Sequence, residues 1–380
     1  MKKIAYLSGT RADFGLMTSV LQAIEHNQDF KLHLYYTGMH LLPQFGHSAT
    51  EVLKFFPQAQ KINASFKDDS AVSSLSFFAD LVARLSQQLI KDKIDYLLIL
   101  GDRVEMLAAA VCCLHLGIPT LHLHSGERSS TVDEPSRHAI SRLASLLLPA
   151  TKKSAQRLLR NGEEAWRIKV VGAPALDNIL QAPLPSRAEI YQFLGLPLEQ
   201  KFLLLLQHPV SQEVALASRQ MRISLRAVSQ FNLPVVLIYP NADPGSQEMI
   251  AEILKIKKNK LFKVYQNLPH QTFLALEKYA ACFLGNSSSG LIETPSFKTP
   301  VLDIGTRQAN RERAINVLHC EHKVKDIVAG INTCLFDPKF KNKLSKLKNP
   351  WGDGKCAQRV VRILSKNWDK NKLLRKKMSY

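Results

Sequence analysis

The stretch from Thr120 to Ala139 reads TLHLHSGERSSTVDEPSRHA, five residues that alternate like a strand and then a run of titratable groups. A charged loop feeding an amphipathic helix is the ordinary fate of such a run. Here Asp102 and Arg103 of GDRVEMLAAA join His122, His124, Glu127 and Asp133 in a set of carboxylates and imidazoles suited to proton transfer on both sides of a substrate. Asp102 taken alone would equally serve to cap the next helix. A second set suits anions. Ser8-Gly9-Thr10-Arg11 offers backbone N–H groups and a guanidinium, or else a tight turn with an exposed arginine. The run Gly285-Asn286-Ser287-Ser288-Ser289-Gly290 lets amides and hydroxyls come close to a diphosphate, with an N-cap as the plainer role of Ser288. Glu293 either accepts hydrogen bonds from a ribose diol or complements a helix dipole. His208, in LLLLQHPV, is either a satisfied core histidine or a group at the mouth of the same crevice.

The elements that must position these residues are short β-rich runs alternating with helical patterns. KKIAYL precedes a helix over 14–26, DYLLILG one over 104–116 and TLHLH one over 133–146, with KLHLYYT and IKVVG as further strands. This is the pattern of βαβ units and a parallel sheet. The segment 172–186, GAPALDNILQAPLPS, has three prolines and reads as a linker. KFLLLLQ, PVVLIYP, FKVYQ, ACFLG and PVLDIG then restart the alternation, and a last helix is expected from about Lys355. Two α/β domains follow, 1–175 and 176–365, with a basic tail over 366–380. Open parallel sheets bind ligands outside the carboxyl ends of their strands. The clusters above fall there, as do Gly38-Met39-His40, Gln207-His208-Pro209 and Asn241-Ala242-Asp243. Two such faces, one per domain, predict an interdomain cleft.

The chain has 380 residues, 46% hydrophobic and 22% charged, an ordinary globular composition. A formal charge of +19 would suggest nucleic acid, but residues 339–380 hold 14 Lys/Arg against 2 Asp/Glu, so most of the excess is terminal. The remainder suits an anionic small molecule, not nucleic acid. The tail reads as a solvated helix face, with a membrane surface or an acidic partner as the alternative. The start MKKIAYLSGTRADF lacks the long apolar core of a signal peptide, and no apolar run reaches the roughly 18 residues of a membrane span. A cytoplasmic protein with no membrane partner is therefore expected. Six cysteines include no CxxC pair, so neither a disulfide framework nor a metal site is expected.

GTRADFG, TGMH, LGDRVE, HLHSGE with TVDE and RHAI, QHPV, YPNADPGS, GNSSSGLIE and IGTRQANRERAINVLH, in that order, together resemble the hydrolysing UDP-N-acetylglucosamine 2-epimerases, including those of bacterial sialic- and legionaminic-acid pathways. The likeness runs from Lys3 to about Leu364. It implies an α/β fold of GT-B architecture, two Rossmann-like domains with the nucleotide held mainly by the second, a UDP-sugar partner, no cofactor, and a homodimer or homotetramer. It also implies elimination of UDP to a 2-acetamidoglucal, then addition of water. By resemblance, Asp102 and Asp133 match acid/base carboxylates and His208 a phosphate-side histidine. Arg103, Ser287, Ser288, Glu293 and Arg307 match nucleotide or substrate contacts. Arg11, His40, His122, His124, Asn241, Asp243, Ser289 and Gly290 complete the substrate-binding candidates.

One position departs from the family. Several members carry a catalytic glutamate where His124 stands, and Ser125 replaces a glycine. Either His124 takes over that role or Glu127, three residues on, reaches in; Glu127 is preferred. The alternative substrate is a UDP-2,4-diacetamido-2,4,6-trideoxyhexose. A GT-B glycosyltransferase would share the fold but needs an acceptor site and has no use for the Asp102/Asp133 pair. A non-catalytic nucleotide-sugar sensor would not need those carboxylates either.

Overall fold

The computed structural model describes residues 1–42, 48–66, 71–128, 133–181, 183–240 and 244–377. They form two compact units, residues 1–180 with 351–380, and residues 181–350. In the first unit the strands are β1 (Lys2–Ser8), β2 (Phe30–Tyr36), β3 (Gln60–Lys61), β4 (Tyr96–Leu100), β5 (Thr120–Leu123) and β6 (Leu146–Leu148). Every pairing is parallel and the order is β3-β2-β1-β4-β5-β6. Runs such as YLLIL in β4 are buried throughout, because helices cover both faces of a parallel sheet. One face packs Ile4, Tyr6 and Leu98 against Phe14, Met17 and Leu21; the other packs Ala5, Leu7 and Ile99 against Leu81, Leu85 and Met106.

The second unit repeats this plan with β7 (Leu203–Leu206), β8 (Val235–Ile238), β9 (Phe262–Tyr265), β10 (Cys282–Gly285), β11 (Val301–Ile304) and β12 (Val317–Cys320). Its order is β12-β11-β10-β7-β8-β9, again all parallel. In each sheet the chain direction of winding reverses between the first and fourth strands, β1/β4 and β7/β10. Doubly wound sheets bind ligands at that reversal. The polar clusters after β1, β4, β7 and β10 stand at these two points.

Three expectations change. IKVVG makes only an isolated bridge from Ile168 to Leu147, and the sixth strand is Leu146–Leu148, whose first residue was expected to end a helix that in fact stops at Leu143. The linker is half helix, Pro174–Gln181, within which Leu176 and Asp177 are buried. Asp177 accepts from the backbone N–H of Cys356 and of Ala357, at 2.9 and 2.6 Å, and so starts the helix Cys356–Ser365. That contact explains the third change. From Trp351 the chain belongs to the first unit, where Cys356, Val360, Leu364 and Leu373 join the core around Ile4 and Phe14, so the second domain does not run on to 365.

The basic tail presents the expected solvated face, with Lys366, Lys370, Lys372, Arg375 and Lys377 exposed, but it is also docked on its other side. Leu373 is buried, Trp368 packs against Trp166, and Lys2 Nζ donates to the carbonyls of Leu364 and Lys366. No helix among the described residues is long and apolar enough to cross a membrane.

Candidate active site

In the first unit β4 ends at Leu100, and Gly101 turns the chain with φ +74°. Arg103, not Asp102, occupies the N-cap of the helix Val104–Leu116, and no side chain caps it. The Asp102 carboxylate is committed elsewhere. Its Oδ2 accepts from Nε of Arg137 at 3.0 Å and from Nη2 of the same guanidinium. Arg137 Nη1 donates to Glu127 Oε2 at 3.2 Å, and Glu127 Oε1 lies 2.6 Å from His124 Nδ1. One guanidinium thus joins both carboxylates, and the imidazole closes the chain. The side chains of Arg137, Glu127, His124 and Asp102 are only 8%, 11%, 12% and 15% exposed, so these charges meet at reduced dielectric. Burial opposes the Arg137 charge, but Glu127 and Asp102 outweigh it and its pKa is raised.

The turn after β5 brings Glu127 back to this point. His124 has φ +57° and Gly126 has φ +70°. A Cβ on Gly126 would lie 2.6 Å from Leu158 Cγ and 2.7 Å from the Ser154 carbonyl oxygen, so only glycine fits. Arg157 Nη1 also donates to the Gly126 carbonyl. His124 Nε2 is buried without a hydrogen-bond partner among the described residues.

Two of the candidate histidines are held on both nitrogens. His122, fully buried, has Nε2 at 2.7 Å from the Gly101 carbonyl and Nδ1 at 3.1 Å from Ser141 Oγ. A carbonyl can only accept, so Nε2 carries the proton and Nδ1 accepts from Ser141. Burial first, opposed by the Gly101 bond, takes its pKa down to about 3. His40 bridges Ser8 Oγ and Ser48 Oγ at 2.8 and 2.9 Å, and burial takes its pKa down to about 4. Both imidazoles fasten strand-end loops. Arg11 is exposed and paired with Glu51 at 2.8 Å. Arg103 pairs with Glu105, a fully buried carboxylate packed under Gly9.

In the second unit β7 ends at Leu206 and β10 at Gly285, whose φ is +126°. A Cβ there would meet the Leu206 carbonyl oxygen at 1.9 Å; the two strand ends approach this closely because residue 285 has none. The Asn286 side chain then clamps the main chain of His208, accepting from its N–H at 2.7 Å and donating to its carbonyl at 2.9 Å. Gln308 Nε2 and Arg307 Nη1 donate to the Asn286 carbonyl at 2.8 and 3.2 Å. His208, Ser287, Ser289 and Arg307 are thereby gathered around one residue. Burial, then Arg307, takes the His208 pKa down to about 3.

Ser289 Oγ lies 3.1 Å from Ser287 Oγ. Ser288 stands at an N-cap position but makes no capping bond through its side chain. Gly290 lies against Phe283 and Val301, where its missing Cβ allows close packing. Glu293 is raised to about 7 by burial, beside the fully buried carboxyl of Glu277. Asn241 and Asp243 lie outside the described residues, as does the side chain of Asp133, although Asp133 begins the helix Asp133–Leu143. No group of three His, Cys, Asp or Glu among the described residues is arranged to hold a metal ion.

The family model for UDP-N-acetylglucosamine 2-epimerase matches residues 22–365. The chain is 36% identical over 365 residues to a Legionella pneumophila protein named UDP-N,N'-diacetylbacillosamine 2-epimerase (hydrolyzing), covering 96% of each chain. It is 33% identical over 341 residues to the UDP-N-acetylglucosamine 2-epimerase of Neisseria meningitidis serogroup B, covering 90% of this chain and 89% of that one. The chain belongs to the UDP-N-acetylglucosamine 2-epimerase family. Its fold matches a Neisseria meningitidis UDP-GlcNAc 2-epimerase solved with UDP-GlcNAc, at a TM-score of 0.82 and 19% identity, over 96% of this chain and 100% of that one. The two sheets are therefore two Rossmann-like domains of the GT-B class.

For a member of this family, sequence reasoning passed over Arg137, Gln308 and Glu277, and gave the side chain of Asn286 no role of its own. Arg137 stood in the opening run of charges without a role. Its i,i+4 spacing from Asp133 on one helix face was a usable signal; its pairing with Asp102, 35 residues away, was not. Asn286 and Gln308 act on main chain across 78 and 22 residues, and no local pattern marks such contacts.

Proposed function

We propose that this protein converts a UDP-2-acetamido sugar into the free manno-configured 2-acetamido sugar and UDP, by elimination followed by hydration. The observation that carries this reading is the Asp102–Arg137–Glu127–His124 network, which puts two carboxylates joined by one guanidinium, and a linked imidazole, at a strand-end ligand position. The hydrogen on C2 of a hexosamine has no adjacent carbonyl to acidify it. Its removal becomes feasible when UDP leaves C1 in the same process. A carboxylate of the first domain takes the C2 proton, the C–H electrons form the C1=C2 bond, and the C1–O bond breaks with its pair going to UDP. Water then adds at C1, and a proton returns to C2 on the opposite face.

We assign Asp102, Glu127 and Asp133 to these proton transfers. His124 holds Glu127 in orientation through Nδ1. Arg103 and Arg11 contact the sugar or its phosphates. In the second domain His208, Arg307 and the Ser287–Gly290 segment stabilise the departing diphosphate, and Glu293 accepts from the ribose. His208 is neutral without ligand, and a diphosphate beside it would favour its charged form.

The name of the 36% identical Legionella protein favours a second substrate, UDP-N,N'-diacetylbacillosamine, which carries an acetamido group at C4. Incubating the purified protein with each UDP-sugar separates these readings. Free sugar and UDP in equal amounts from one of them supports a hydrolysing 2-epimerase with that substrate. A manno sugar still attached to UDP would make it a non-hydrolysing epimerase, and turnover of neither would overturn the proposal.

A further inference from the structure

The C-terminal segment reaches the helix that carries Arg137 from its far end. Lys376 Nζ donates to the carbonyls of Ser141 and Ala144, at 2.7 and 3.0 Å, and lies 2.7 Å from Glu163 Oε2. Those carbonyls belong to the last turn of Asp133–Leu143 and the residue just beyond it, where a helix leaves acceptors without intrahelical partners and its dipole favours a cation. Glu163, whose side chain is 2% exposed, also takes Arg142 Nη1 at 3.1 Å, so the same helix end is gripped twice. The segment is itself fixed. Arg167, fully buried, donates to the carbonyls of Leu373, Lys372 and Arg375 at 2.8, 3.0 and 3.0 Å, and to that of Ser145 at 2.9 Å.

Arg137 and Ser141 are one turn apart on this helix and face the same way. Arg137 binds Asp102 and Glu127; Ser141 binds His122, which in turn holds the Gly101 carbonyl just before Asp102. A shift of the helix along its axis would move both contacts at once. Besides the Arg142 contacts, the anchor against that shift is a side chain more than 230 residues away in sequence.

We propose that Lys376 is a positioning residue for the first domain's site, its ammonium fixing the end of the helix Asp133–Leu143 and with it the placement of Arg137 and Ser141 against Asp102, Glu127 and His122. Burial brings its pKa down to about 8, against the pull of Glu163, so it is charged at neutral pH. The proposal rests on the reading of that site as the proton-transfer site.

The test is steady-state turnover of the full chain with the UDP-sugar that wild type accepts, together with UDP affinity, for Lys376→Met, Lys376→Gln and Lys376→Arg. Loss of the anchor should lower kcat about 10- to 100-fold in the Met variant and less in the Gln variant, with KM and UDP affinity within about 2-fold of wild type, and Arg should restore most of kcat. If the Met variant does not fold, the Gln and Arg variants decide the matter alone. An unchanged kcat in the folded Gln or Met variant overturns the proposal, as does a kcat loss matched by lost UDP affinity. Wild type without turnover on either UDP-sugar would instead overturn the proposed function.

Discussion

Arg137 is central to the electrostatics of the first domain's candidate site, because its guanidinium bonds to both Asp102 and Glu127. Replacing it with methionine would leave two partly buried carboxylates without the guanidinium that joins them. Arg137→Met should cost about 3–5 kcal/mol of stability, the scale for breaking a buried pair, and reduce turnover of the folded fraction. Asp102→Asn and Asp133→Asn should each lower kcat by roughly 10²–10⁴-fold, the range for a lost acid/base group, while UDP affinity barely moves. Steady-state kinetics and calorimetric titration with UDP check both statements, and near-normal turnover in the two variants would remove these residues from the chemistry. The proposed function assigns His208 to the departing diphosphate. His208→Ala should slow C–O cleavage and should also abolish proton uptake when UDP binds, since an imidazole depressed to about 3 in the free protein gains its proton only as the diphosphate arrives. Titrations in buffers of different ionisation enthalpy read that proton directly, and equal uptake by wild type and variant would contradict the assignment.

At the scale of elements, the site is made by what happens just after each strand. His122 ties the end of β4 to the helix Asp133–Leu143, and it does so as a neutral ring. Its folded pKa of about 3 lies below the usual 6.5, so its contribution to stability is present above about pH 6.5 and is lost as pH falls toward 3. His122→Gln keeps a donor and an acceptor without the titration. Its unfolding free energy should therefore fall less steeply than that of wild type between pH 6.5 and 4, in urea melts at several pH values; parallel slopes would show that His122 does not carry this effect. Strands and helices were legible because their signals are local. VVLI and FKVY announce strands, and the helix Val104–Leu116 falls where its apolar period places it. The miscast IKVVG shows the limit: its residues suit a strand, but LLL already fills the next place beside β5. Side-chain pairing was less legible. That Asp102 and Glu127 share one arginine depends on two strand ends lying side by side, which the order β4-β5 decides and no spacing records.

At the scale of the whole molecule, the chain closes on itself within the first domain. The last 30 residues return to it, and Arg167 spends most of its donors on the main chain of that segment. The charge of 339–380 pointed to the solvated face that its exposed lysines form, but composition says nothing about the backbone carbonyls the segment offers or the buried Leu373 among those lysines. Deleting 366–380 should strand the buried Arg167 and expose apolar core, lowering the unfolding midpoint by roughly 10 °C. Differential scanning calorimetry measures this, and an unchanged midpoint would mean that the segment does not hold the domain. The central claim concerns the reaction itself, and isotopes test it most directly. Run in deuterium oxide, the reaction should give a free manno-configured sugar with deuterium at C2; run in oxygen-18 water, the label should appear at C1. Proton removal and return by side chains that exchange with solvent give the first label, and addition of water after UDP departs gives the second. A free sugar that keeps its original C2 hydrogen would contradict the account.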